Sequence, residues 1–156
     1  MTNENYMQLA IDKAFDGMRN GQSPFGACIV KDGQVVAVEH NHVWADTDIT
    51  AHAEICTIRS ACRKLGTIDL SGCVIYSTTE PCPMCFSAIH WAKISTIYYG
   101  TSIADAQKAG FNELTVSNFD MKKYGESPVE IIDGVLREKA MELFNMWNSS
   151  DKKKTY

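Results

Sequence analysis

Two short segments, His52-Ala53-Glu54 and Pro81-Cys82-Pro83-Met84-Cys85, constrain this chain more than any other feature. Together they offer one imidazole, two thiols and one carboxylate. Imidazole nitrogen and thiolate sulfur are the ligands Zn2+ prefers, and three such ligands leave one tetrahedral position open for water. A chain built this way must bring two segments about thirty residues apart to a single ion. His52, Cys82 and Cys85 are the expected ligands, one ion per subunit.

Glu54 is then left over, beside the open position. Two thiolates and a neutral imidazole cancel the charge of the ion, so its water needs a base. Glu54 is placed to take that proton and return it elsewhere. Residues two apart at a helix start face different ways, so His52 and Glu54 address opposite sides of one water. Thr50 is the expected N-cap for that helix. Pro83 suits a first helical turn, and the positive end of the helix favours the thiolates. The alternative is a closed zinc site that only staples the fold. It needs a fourth strong ligand, and His40, His42 and His90 do not stand at a paired spacing with these cysteines.

The chain has 156 residues, which suits one domain spanning 1–156 with a full core. Hydrophobic residues make up 45% and the formal net charge is −4, so a broad electrostatic grip on nucleic acid is not expected. No apolar run has membrane-spanning length, and the first nine residues lack an apolar signal core. Six cysteines without a secretory signal point to a reducing cytoplasm, with Cys28, Cys56, Cys62 and Cys73 as small core residues.

Apolar residues at helical spacing predict a helix over 3–19 and others over 51–65 and 136–147. Asp32-Gly33 marks a hairpin between strands at 26–31 and 34–39. Short strands are expected at 73–77, 94–99 and 129–132, and a helix at 103–109. Residues 41–49 read as a polar loop, and 111–128 as a long loop or lid. The order implies a mixed, mostly parallel sheet covered on both faces. Residues 148–156 form a polar, basic tail with an aromatic end. Trp91 is expected in the core beside the metal helix, and Trp44 near a pocket mouth or subunit interface.

With these motifs in hand, the chain resembles the cytidine deaminase superfamily over nearly its whole length. Within it, the small bacterial guanine deaminases are the nearest match, and plant guanosine deaminases a more distant one. The resemblance is carried by the two metal segments, by Pro24-Phe25-Gly26-Ala27 and Asn41, and by Ala88-Ile89-His90-Trp91-Ala92. Ala109-Gly110-Phe111 and Lys154-Thr155-Tyr156 continue it. It implies a three-layer α/β/α sandwich around a five-stranded mixed sheet, and a homodimer. It also implies that the C-terminal tail closes over an active site, often the partner subunit's, with exchanged tails.

The same resemblance implies a substrate pocket of Phe25, Asn41, Ala53, Glu113 and Tyr156. Asn41 would hydrogen-bond a purine. Relatives run Gly-Phe-Asp-Asp where this chain has Gly110-Phe111-Asn112-Glu113, so Glu113 supplies the acid with a longer reach. The implied reaction is guanine plus water to xanthine plus ammonia. Water adds at C2, Glu54 protonates the adjacent ring nitrogen, and Glu54 and Glu113 protonate the departing amine. The alternatives are a tRNA adenosine deaminase, a deaminase of guanosine, cytosine or an aminotriazine, and a zinc module without catalysis.

Overall fold

The computed structural model describes residues 1–156. Strand β1 (Gly26–Lys31) sits inside the sheet and is buried along almost all its length. Its alternate side chains serve two different cores, as strand geometry requires. Ala27 and Ile29 face a core completed by Ile75, Ile97, Ala53, Ala61, Phe86 and Ile89. Cys28 and Val30 face the opposite side, against Met7, Ala10, Ile11, Tyr76, Ala140 and Leu143. Two cores on two faces make a three-layer α/β/α sandwich, with α1 (Asn3–Arg19) and α7 (Arg137–Ser149) on one side. Helices α3 (Ala53–Leu65) and α4 (Pro83–Trp91) cover the other.

The sheet has five strands in the order β2-β1-β3-β4-β5, with β2 spanning Gln34–His40, β3 Cys73–Thr79, β4 Thr96–Thr101 and β5 Glu130–Ile132. The β1–β2 hairpin turns at Asp32 and Gly33, whose φ values of 49° and 74° fit the type I′ turn that Asp-Gly favours. β1 pairs antiparallel with both β2 and β3, while β3–β4 and β4–β5 are parallel. The sheet is thus mixed in equal parts and not mostly parallel. Crossovers through α4 and through α5 (Ile103–Lys108) with α6 (Asn118–Gly125) give the two parallel steps. The connection through α3 brings β3 back against β1 in the opposite sense.

Other expectations are corrected too. The polar loop after β2 contains a short helix, α2 (Val43–Asp46). The stretch 111–128 contains α6, capped by Ser117 accepting from the Asp120 N–H. That helix has little apolar stripe, so periodicity does not reveal it. Thr50 is not the cap of α3: its hydroxyl and N–H both donate to Asp48, and the helix begins two residues later with His52 as N-cap. Trp91 is 82% exposed. It lies two residues past buried Ile89 on α4, which turns it to the outer side. Cys28 and Cys73 are buried as expected, whereas Cys56 and Cys62 are only partly so.

Candidate active site

The metal-ligating side chains come from two helix starts built alike. His52 is the N-cap of α3 and Cys82 the N-cap of α4; both backbones are extended, and neither side chain is used as a cap. Each carbonyl instead begins its helix, accepting from Cys56 and from Phe86. Both side chains are therefore free to point at a common centre. Cys85 lies one turn into α4 and is fully buried.

His52 Nδ1 stands 3.6 Å from Cys82 Sγ and 3.5 Å from Cys85 Sγ. All three ligand atoms lie within 4.8 Å of one another. Zn–N near 2.0 Å and Zn–S near 2.3 Å in a tetrahedron set N···S edges of about 3.5 Å. The three donors therefore fit a zinc ion without rearrangement. Cys82 is held down at about 4, first by the hydrogen bond from the Cys85 thiol and then by His52. Burial keeps the remaining proton on Cys85.

Glu54 is not in the ligand cluster. It is 7% exposed, and its Oε1 lies 3.2 Å from the Ser77 hydroxyl. Burial, and then Cys82 nearby, pushes its carboxyl above the ordinary value. A cavity of about 30 Å3 opens beside it, lined by Phe25, Asn41 and Glu113 as well as His52, Cys82 and Tyr156. Of the substrate residues expected from sequence, only Ala53 stands outside the lining. It is fully buried at the first position of α3, and its carbonyl accepts from Thr57.

Asn41 divides its amide between two tasks. Oδ1 accepts from the Val43 N–H at 3.0 Å, which shapes the turn after β2. Nδ2 donates to the Tyr156 hydroxyl at 2.7 Å across the cavity. Phe25 meets Phe111 edge-on, with centroids 4.9 Å apart. Glu113 is pushed up to about 7 by burial, then by Cys82 and Glu54.

The tail after α7 returns over this cavity in its own chain. The Tyr156 carbonyl oxygen accepts from the Asn112 N–H at 2.8 Å, and its ring packs 5.2 Å from Phe111 and 5.7 Å from His52. Lys154 Nζ sits 4.4 Å from the centre of the Trp44 ring, and that ring lies 6.3 Å from Tyr156, so Trp44 backs the tail and does not line the cavity itself. Burial raises the Tyr156 phenol above its usual value. Thr79 and Glu80, which also line the cavity, have no site role in the sequence reading, although Glu80 heads the segment that carries the family resemblance. Their only sequence signal is position, directly before Pro81 and Cys82.

The family model for the cytidine and deoxycytidylate deaminase zinc-binding region matches residues 1–101. The chain belongs to this deaminase family. It is a zinc-dependent aminohydrolase of that family, and His52, Cys82 and Cys85 are the side chains able to hold the ion. Guanine deaminase of Bacillus subtilis is 37% identical over 157 residues, covering all of both chains. Its solved structure superposes at a TM-score of 0.70 over 99% of each chain. A guanine deaminase from Nitrosomonas europaea is 26% identical yet superposes better, at 0.88, over 96% of this chain and 86% of that one. A tRNA-specific adenosine deaminase of Agrobacterium fabrum is 36% identical over 92% of this chain and 91% of its own. No helix is long and apolar enough to cross a membrane.

Proposed function

We propose that this protein deaminates guanine hydrolytically, releasing xanthine and ammonia. The observation that carries the reading is a buried, unligated carboxylate, Glu54, beside a three-ligand metal centre and a hydrogen-bonding amide. The full-length similarity to a guanine deaminase selects the ring. His52, Cys82 and Cys85 would hold the zinc, which when bound would lower the pKa of a water toward neutrality. Every remaining task falls to side chains.

Glu54 takes a proton from that water as it adds at C2, and passes it to the neighbouring ring nitrogen. The Ser77 hydroxyl, 3.2 Å from Oε1 and donating at 2.6 Å to the Thr79 carbonyl, keeps a polar neighbour beside the carboxyl. Glu54 then takes the proton of the new C2 hydroxyl and, with Glu113, delivers one proton to the amine, so that C2=O forms as the C2–N bond breaks and ammonia leaves. A carboxyl near 7 both holds and releases a proton at working pH. Asn41 Nδ2 donates to the base, Phe25 and Phe111 flank it, and Ala53, outside the lining, packs in the core at the start of the helix that carries Glu54. A cavity of about 30 Å3 holds a water or two and not a bicyclic ring, so Tyr156 yields room as the base enters.

Two copies of the chain form the working unit in this reading. Exposed Met84 and Trp91 on α4, with exposed Ile49 and Leu114 near the pocket mouth, offer apolar surface for the partner. In the structure the C-terminal tail closes over the pocket of its own chain; exchange of tails between the two copies would bring the same Tyr156 to the partner's pocket. Six unpaired thiols fit a cytoplasmic enzyme of purine metabolism.

One observation favours a second reading, adenosine deamination in tRNA: the similarity to tRNA-specific adenosine deaminases. The net charge of −4 and a tail folded over the pocket weigh against it. The test of catalysis is Glu54→Gln. It keeps the zinc and the fold and lowers kcat by about 100- to 10,000-fold. Near-normal turnover contradicts the assignment.

A further inference from the structure

Glu80 connects β3 to the metal segment, two positions before Cys82. Its side chain is 6% exposed, and none of the ion pairs in the structure involves it. Its charge is met by backbone instead. Oε1 accepts from the Ile103 N–H at 3.0 Å and Oε2 from the Asn118 N–H at 2.9 Å. These are the first residues of α5 and α6. The Asn118 side chain returns the tie, donating from Nδ2 to the Pro81 carbonyl at 2.6 Å.

One carboxylate therefore fastens both ends of the segment 103–118. The middle of that segment carries Glu113, which lines the pocket, and Phe111, which packs edge-on against Phe25 of that lining and walls the adjoining groove with Glu113. The fastening point lies immediately before the first thiol ligand. Bonds from amides to a carboxylate are about twice as strong as neutral ones. A buried charge is costly to keep if its only task is to fill space.

We propose that Glu80 is a positioning residue that sets the Phe111–Glu113 wall relative to Cys82 and Cys85. Its consequence for turnover rests on the deamination reading above; its consequence for the segment 103–118 does not. Glu80→Gln nearly conserves volume but retains a single acceptor oxygen. Its NH2 group then faces an amide N–H and cannot replace the lost bond.

The experiment compares zinc content, amide hydrogen exchange, guanine turnover and 8-azaguanine affinity in the zinc-loaded full chain and the Glu80→Gln variant. Zinc content stays at one per chain. Exchange in 103–118 accelerates about 10- to 100-fold, the scale of a lost hydrogen bond to a charged group, while α1 and β1 exchange as before. Turnover falls about 10- to 100-fold, the effect of displacing a positioned group by roughly 1 Å. Affinity for 8-azaguanine changes much less, because Asn41 is untouched. Exchange that rises evenly over the whole chain, or kcat per zinc-loaded molecule equal to that of the parent, overturns the proposal. If Glu80→Gln does not fold, Glu80→Asp keeps the carboxylate but is one methylene too short to reach both the Ile103 and the Asn118 amides. Faster exchange confined to 103–118 then supports the proposal, and unchanged exchange there overturns it. A parent protein inert on guanine defeats the substrate assignment alone, since the exchange result still decides the role of Glu80.

Discussion

Tyr156→Phe removes one oxygen atom and tests how the tail relates to the substrate. In the structure the Tyr156 hydroxyl accepts the Asn41 Nδ2 donor at 2.7 Å. The proposed substrate needs the same donor, so it binds by displacing the phenol. A neutral hydrogen bond contributes about 0.5–1.5 kcal/mol net, which is a factor of about 2 to 13 in an equilibrium constant. Without the hydroxyl that opposing bond is gone, and 8-azaguanine should bind about 2- to 13-fold more tightly. The folded state pays for the change. Asn41 is fully buried, and its stranded N–H costs about 1–2 kcal/mol. For a chain of this size that lowers Tm by roughly 3–7 °C. Calorimetric titration of zinc-loaded parent and variant, with melting curves for both, reads both quantities. Weaker binding by Tyr156→Phe refutes the reasoning, because the phenol would then be a substrate contact and not a competitor for Asn41.

Two further predictions concern the frame that holds the site. Gly26 begins β1 against α1, and a Cβ there would overlap the Ala10 carbonyl. Gly26→Ala should destabilise by about 3 kcal/mol, the upper range for overpacking, read as a lower urea midpoint. Arg137 holds Asp105 down at about 2, against an ordinary 3.8, chiefly through their hydrogen bonds. A depressed acid stabilises the fold above its unfolded pKa and loses that contribution as pH falls from about 4 toward 2. Arg137 is 43% exposed, so Arg137→Ala should cost only about 1 kcal/mol at pH 7 after screening. The gap between parent and variant should shrink at pH 3, and a gap independent of pH contradicts the linkage.

The metal centre was legible because its spacing is local. Pro83 and the C-x-x-C interval place Cys82 and Cys85 on one helix start whatever the rest of the chain does. Helices with strong apolar stripes, such as α1 and α3, were legible for the same reason. What failed depended on partners distant in sequence or on side chains competing for the backbone. Asp48 captured Thr50 and moved the start of α3 to His52. Helix α6 is held by Ser117 and by Glu80, whose partner amides lie 23 and 38 residues away. No periodicity registers such a tie. The balance of parallel and antiparallel pairs hinged on where β3 returned, a tertiary choice that strand patterns do not encode. Asparagine suits both turns and ligand contacts, and at Asn41 the geometry gives the two amide atoms separate tasks, Oδ1 to the Val43 turn and Nδ2 to the cavity. The contact between Asn41 and Tyr156 spans 115 residues, and no local pattern encodes it; family resemblance brings each residue to the pocket but does not pair them.

The central claim is tested most directly by ammonia release from zinc-loaded protein offered guanine, guanosine, adenine, cytosine, an aminotriazine and tRNA in parallel. The account predicts rapid release from guanine with xanthine as the co-product, and little from the others. Release from tRNA or another ring with guanine inert would contradict the substrate assignment, and silence across the whole set from metal-replete protein would contradict the catalytic reading itself.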